Sequence, residues 1–273
     1  MQDRLPAATA PYPPRASRGA QARTLFRNFY RREIVGRYLG SVTGLAWALV
    51  HPLAMLGVYH FVFTTVFRAK TFGDHSFLAF VAVALWPWLA AQESIQRATV
   101  SLAGYAGLIR KVVFPHEIAV YAAISATLTL QFCGYIVVLV VLRAIGEPIQ
   151  LQGLLVAIPL WGVMAIAVAG LGLMFAALQV FVRDVEHVLM PVLMMMMYLT
   201  PILYPVSMVP EGARAFVEAN PFGWLVGRFR DALLDGNLAF RWSDMVAVAV
   251  ALAIFWAGRW VFMRLSPQFE DFV

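Results

Sequence analysis

The residues of this chain with the clearest chemical potential are guanidinium groups. Arg27, Arg31, Arg32 and Arg37 recur among Leu25, Phe26, Phe29, Ile34 and Val35. Arginines on a helix that also carries apolar residues suit two tasks. They can grip phosphate through paired N–H donors, or rest on anionic lipid headgroups. Both readings stay open for this segment. No catalytic constellation accompanies them. The sequence has no GxxxxGK[ST] loop to cradle nucleotide phosphates, no HExxH pair, and a single cysteine, Cys133, inside an apolar run. His51 and His60 are nine positions apart, which puts them on different faces of a helix, and His75, His116 and His187 are scattered near loops. The reading is therefore no catalytic residue and no metal ligand. The centres of the long apolar runs hold no Asp, Glu, Lys or Arg, which argues against an ion-coupled transporter. Energy for any transport would have to come from another subunit.

The elements that must position these groups are apolar helices. Hydrophobic residues make up 61% of the 273 and charged residues 13%, far from the composition of a soluble domain. About 20 apolar residues cross a bilayer as a helix, and six such segments are expected: Gly44–Phe67, Phe77–Gln92 extending toward Ala98, Ile118–Leu142, Leu151–Val182, Val188–Val209 and Met245–Met263. The fifth is broken by Pro191, Pro201 and Pro205. The fold class is thus all-α integral membrane, and the net charge of +6 is explained by membrane topology rather than by nucleic acid. Eight arginines precede the first span, which places both termini on the cytoplasmic side. Residues 1–20, rich in Pro, Ala and Arg, read as a disordered cytoplasmic tail with no signal peptide. Residues 21–39 read as an amphipathic helix at the cytoplasmic interface, and 40–273 as the six-span domain. Between spans five and six, 210–235 is too apolar for a simple loop. Two short helices, 213–219 and 222–234, broken at Asn220-Pro221, predict an external re-entrant hairpin. Phe222, Leu225, Val226, Phe229 and Leu233 share one face of its second helix, and Arg228 and Asp231 can pair weakly on another. The loop 101–117 has short helical potential around 108–113. Small-residue spacings (Gly36/Gly40/Gly44, Gly170/Gly172, Gly223/Gly227) permit close helix approach. The run Met194–Met197 reads as packing or as a deformable conduit wall. Trp47, Tyr59, Trp86, Trp88, Tyr135, Trp161, Tyr198, Tyr204 and Trp224 are expected mostly as interfacial anchors.

The order of these pieces carries a resemblance. A basic amphipathic helix is followed by Tyr38-Leu39-Gly40-Ser41 up to Trp47 and Pro52, and by Leu108-Ile109-Arg110-Lys111-Val112-Val113-Phe114-Pro115. Arg183-Asp184, Leu199-Thr200-Pro201, Tyr204-Pro205-Val206-Ser207 and Asn220-Pro221 to Phe229-Arg230-Asp231 come next. From about Thr24 to Arg264 this resembles the membrane (permease) subunit of an ABC-2 type exporter, of the branch that exports lipid-linked polysaccharides such as O antigen, teichoic acid or capsule. The resemblance implies a homodimer in the bacterial cytoplasmic (inner) membrane, joined by two separate nucleotide-binding ATPase subunits and by periplasmic export components. This chain would hold no cofactor; ATP and Mg would belong to the partner ATPase. Leu108, Ile109, Arg110, Lys111, Phe114 and Pro115 would form the lever pressed by that ATPase. Arg27, Arg31, Arg32 and Arg37 would attract the phosphates of the lipid carrier. Asn220, Pro221, Trp224, Phe229 and Arg230 would form an external gate, with Arg230 steering anionic carrier groups.

Three other readings compete. An ABC-2 exporter of a drug or small amphiphile would lack a wide aromatic-lined channel. An intramembrane lipid enzyme would need a polar reactive cluster at membrane depth. A membrane scaffold would not stimulate a neighbouring ATPase.

Overall fold

A computed structural model describes residues 18–38, 47–66, 75–109 and 114–272, and every regular element among them is helical. Helix α1 (Arg18–Tyr38) begins inside the expected tail; residues 1–17 and Leu39 lie outside the described residues. α2 (Trp47–His60) continues through a π-helical stretch, Phe61–Val66. α3 (Phe77–Ser101) starts where the Ser76 hydroxyl accepts from the Ala79 N–H and so caps the first turn. It runs through Glu93 and Arg97, beyond the apolar stretch. A 3-10 turn and the short α4 (Ala106–Ile109) follow. Then come α5 (Glu117–Ala144), α6 (Leu154–Phe181) and α7 (Val185–Leu199). The two expected short helices are present as α8 (Glu211–Glu218) and α9 (Pro221–Leu233). α10 (Trp242–Leu265) and a last turn, α11 (Phe269–Phe272), close the chain.

Four of these segments are long and apolar enough to cross a membrane: 77–101, 117–144, 151–181 and 242–268. α7 is apolar but has 15 residues, because Pro201 denies the helix a continuing N–H. α2 has 14 before its π-helical continuation. The chain is an all-helical integral membrane protein.

α3 is the central helix. Ala79, Ala84, Ala90 and Ala98 are fully buried on it, and their small side chains let α5, α6 and α9 approach. Gly172 of α6 faces Ala98 and Ile124. The closest approach joins α6 to α10: a Cβ on Gly258 would lie 1.9 Å from the Gly170 carbonyl oxygen. Gly170 and Gly172 therefore serve packing within the chain, whereas a Cβ on Gly36 would meet nothing within 4 Å.

The aromatic residues divide between core and surface. Trp86, Trp88, Tyr135 and Trp161 are buried in the core, not placed as interfacial anchors, because α3, α5, α6 and α9 pack around them. The Tyr135 hydroxyl donates to the Val83 carbonyl at 2.9 Å. Among the tryptophans whose burial is described, the exposed ones are Trp242, Trp256 and Trp260 on the peripheral α10. The run Met194–Met197 also divides: Met194 and Met195 are exposed, while Met196 and Met197 pack beside Val81 and Leu85.

Candidate functional site

The helices alternate in direction, so one end of the bundle carries α1, Tyr105, Glu117 and α11, and the other carries α8 and α9. At the α1 end, Phe29 is buried against Tyr105 (4.4 Å between ring centroids) and Phe114 (5.7 Å). The Tyr105 hydroxyl donates to Glu33 at 3.2 Å, and the Arg32 guanidinium lies 4.7 Å from the centre of the Tyr105 ring. These contacts fasten α1 to the segment after α3. Of the expected lever, Ile109 and Phe114 are buried, Leu108 is half-buried and Pro115 is exposed. Ile109 and Phe114 thus anchor this segment to the core. Arg110 and Lys111 lie outside the described residues.

The four arginines of α1 separate by face. Arg27 and Arg31 are exposed, and Arg32 is drawn to Tyr105. Arg37 turns inward, where it donates to Glu93 at 3.1 Å and to the Thr127 hydroxyl. That corrects the expectation that all four serve a phosphate: the Arg37 side chain is only 9% exposed and pairs with a carboxylate of the same chain. Glu93 also accepts from Gln131 and lies 3.5 Å from Arg97. This polar cluster ties α1, α3 and α5 together. The sequence reading passed over it, although Glu93/Arg97 and Thr127/Gln131 both stand four apart, as partners on one helical face do.

At the other end, the Asn220 side chain accepts from the Phe222 N–H and donates to the Thr200 hydroxyl at 2.9 Å. Pro221 occupies the first helical position, where its missing N–H costs nothing. The apolar face of α9 is turned into the protein: Leu225, Val226, Phe229 and Leu233 are all buried. Phe229 sits edge-on to Tyr135 and Trp161. Arg230 is 8% exposed and donates to three carbonyls, those of Phe80, Pro201 and Ile202, while its guanidinium covers the Phe80 ring at 3.4 Å. Two of those carbonyls follow the break after α7, where no helical N–H can reach them. Arg230 therefore clamps the broken helix, the hairpin and the start of α3, and its charge is not offered to a carrier. Of the expected gate residues only Pro221 is exposed and Trp224 half-buried. The open face of the hairpin is α8, with Phe216 67% exposed.

An ionic group centred on the buried Arg228 holds the hairpin to α10. Arg228 lies 3.0 Å from Asp244 and 3.7 Å from Asp231, and Arg241 pairs with Asp231 at 2.5 Å. The expected Arg228–Asp231 pair is present, and Asp244 is the nearer partner. Beside this group, α6, α9 and α10 border an open, mostly apolar cavity of about 500 Å³ lined by Pro159, Trp224 and Leu252 among others.

An all-helical bundle with four membrane-length apolar helices agrees with the fold class that the resemblance implied. The family model described as ABC-2 type transporter matches residues 24–234. The chain belongs to that family. It is 26% identical over 247 residues to the O-antigen export system permease protein RfbA of Klebsiella pneumoniae, covering 88% of this chain and 91% of that one. The same identity over 262 residues relates it to the O-antigen export system permease protein RfbA of Myxococcus xanthus, covering 92% and 96%. The polysialic acid transport protein KpsM of Escherichia coli is 23% identical over 215 residues, covering 77% and 81%. The ABC-2 match ends at residue 234, just past α9, so the hairpin falls within the shared region and α10 outside it.

Proposed function

We propose that this chain is the transmembrane subunit of an ATP-driven exporter that moves a lipid-linked polysaccharide across the cytoplasmic membrane. The observation that carries the proposal is its similarity, over 77–92% of its length, to proteins named for O-antigen export and polysialic acid transport. Two copies work with two separate ATPase subunits that bind ATP and Mg. The α1 end faces the cytoplasm, and α2 with its π-helical continuation and α7 complete six spans. ATP-driven closure of the ATPase pair pushes on the segment 103–115 and on α1. Because Phe29, Tyr105 and Phe114 lock these two parts into one unit, the push reaches Arg37 and the polar cluster on α3 and α5. Arg27 and Arg31 remain free to attract the carrier phosphate or anionic headgroups. At the far end α8 gates the exit, while α9 anchors it.

Deletion of the chain tests this reading. The expected result is polymer retained inside the cell, with surface polysaccharide restored by the wild-type gene. An allele with Arg110→Glu and Lys111→Glu should restore ATP hydrolysis in the complex without restoring export. Normal surface polysaccharide in the deletion strain would sink the proposal. An exporter of a small amphiphile is the second reading, favoured by the apolar cavity beside Trp224. It predicts drug sensitivity, with unaltered surface polymer, in the same strain.

A further inference from the structure

The cleft between α3 and α7 at the α1 end is, we propose, a docking site for sugar residues of the exported polymer. This rests on the polysaccharide-export reading and assigns the place where the sugar part, rather than the lipid part, first engages this chain. The cleft has a volume of about 460 Å³, within the range of sites that hold small ligands. Glu93, Gln96 and Arg97 line it from α3, and Glu186 and His187 from α7. The carboxylates are forked acceptors, and the amide and guanidinium are planar donors. Neighbouring hydroxyls on a sugar ring, each both donor and acceptor, satisfy such a set. Leu189 and Met190 add apolar surface for the C–H face of a ring.

Charge decides between sugar and phosphate. Glu93 is shared by Arg37 at 3.1 Å and Arg97 at 3.5 Å, and Glu186 adds a second carboxylate to the lining. A diphosphate placed there would find no uncompensated cation, whereas a neutral polyhydroxyl needs none.

Placement supports the same assignment. A second polar cavity of about 300 Å³ shares Thr99 and Glu186 with the first and continues past Gln179 and Arg183 to Phe272 at the end of the bundle. In the other direction, Met190, Met194 and Tyr198 form one exposed stripe at four-residue spacing up α7. The cleft therefore joins a polar approach to the foot of a soft apolar and aromatic wall. Glu93 also belongs to the Arg37 cluster, so a sugar that draws on Glu93 or Arg97 alters the grip on α1.

The test places a photoreactive amino acid, p-benzoylphenylalanine, at Gln96 or at His187. The full transporter is kept in cells that make their own polymer. Val140, 61% exposed on α5, is the control position. After irradiation, periodate–hydrazide staining should reveal a ladder of carbohydrate-bearing adducts at both cleft positions and none at Val140. Arg97→Ala, a change at a side chain 45% exposed, should lower the ladder's yield and the export rate by about tenfold. Adducts that carry phospholipid or carrier lipid without sugar would overturn the proposal, and so would a ladder equally strong at Val140. A chain required for surface polymer that gives no cleft adduct overturns only the docking site. Surface polymer that survives deletion of the chain overturns the export reading itself.

Discussion

A guanidinium presents its N–H donors in one plane, and at Arg230 three nitrogens reach three separate carbonyls of a broken helix and its neighbour. Lysine keeps the charge but has one nitrogen on a flexible stem, so it cannot hold the same three acceptors in plane. Arg230→Lys should cost roughly 3 kcal/mol, since charged hydrogen bonds are lost and buried carbonyls are left unpaired. Thermal unfolding of the detergent-solubilised protein, followed by tryptophan fluorescence, measures it; an unchanged midpoint would show that the clamp is not structural. Tyr105 offers a pH test at the other end. Burial, and next the Glu33 carboxylate and its hydrogen bond, push the phenol up from 10.0 to about 12 against the opposing pull of Arg32. The folded protein holds this proton more tightly than the unfolded chain. Its contribution is therefore full below pH 10 and is lost as pH rises through 12. Tyr105→Phe should lose about 1 kcal/mol. The gap between wild type and variant should stay constant near neutral pH and narrow only above pH 10. A gap that changes near neutral pH would contradict the assignment.

Among the elements, the α6–α10 contact is the tightest, and it depends on two glycines. A methyl group on Gly258 would overlap the Gly170 carbonyl, and backbone cannot turn aside as a long side chain can. Gly258→Ala should therefore push α10 away and cost about 2 kcal/mol. Gly57→Ala, where an added Cβ meets nothing within 4 Å, should not destabilise the fold. Equal melting of the two variants would refute the packing argument. In the hairpin, α9 is largely buried and α8 is open, so the gating proposal is tested at α8. Cysteines at Ala213 or Phe216, cross-linked between two copies of the chain, should stop polymer export, and reduction should restore it. Continued export with the link in place would leave the hairpin as an anchor.

For the whole molecule, orientation follows from charge. The segment before the first span carries eight arginines, and the proposed arrangement puts both ends of the chain on the cytoplasmic side. Reporter fusions after Arg23 and after Val273 should both read cytoplasmic; an external signal from either would reverse the assignment of the two ends. The ionic cluster around Arg37 and the clamp at Arg230 meet α3 at Glu93 and at Phe80, and most of the helix between them is buried. In the proposed mechanism a push at one end would pass along this central helix toward the hairpin at the other.

The helical class, the long apolar segments and the break at Asn220-Pro221 were legible in the sequence. Each is a local property: runs of apolar residues demand helices in lipid, and proline interrupts a helix wherever it lacks the N–H. Even the apolar face of α9 could be counted at four-residue spacing. Which surface that face met could not, because the same stripe suits lipid or a protein core. The arginines show the limit most clearly. Arg27 and Arg37 look alike in sequence, and so do Arg228 and Arg230 beside their acids. Only the fold turns Arg37 to Glu93, 56 positions away, and Arg230 to Phe80, 150 positions away. A guanidinium's role depends on acceptors that distant segments bring to it, and tertiary packing alone supplies those acceptors.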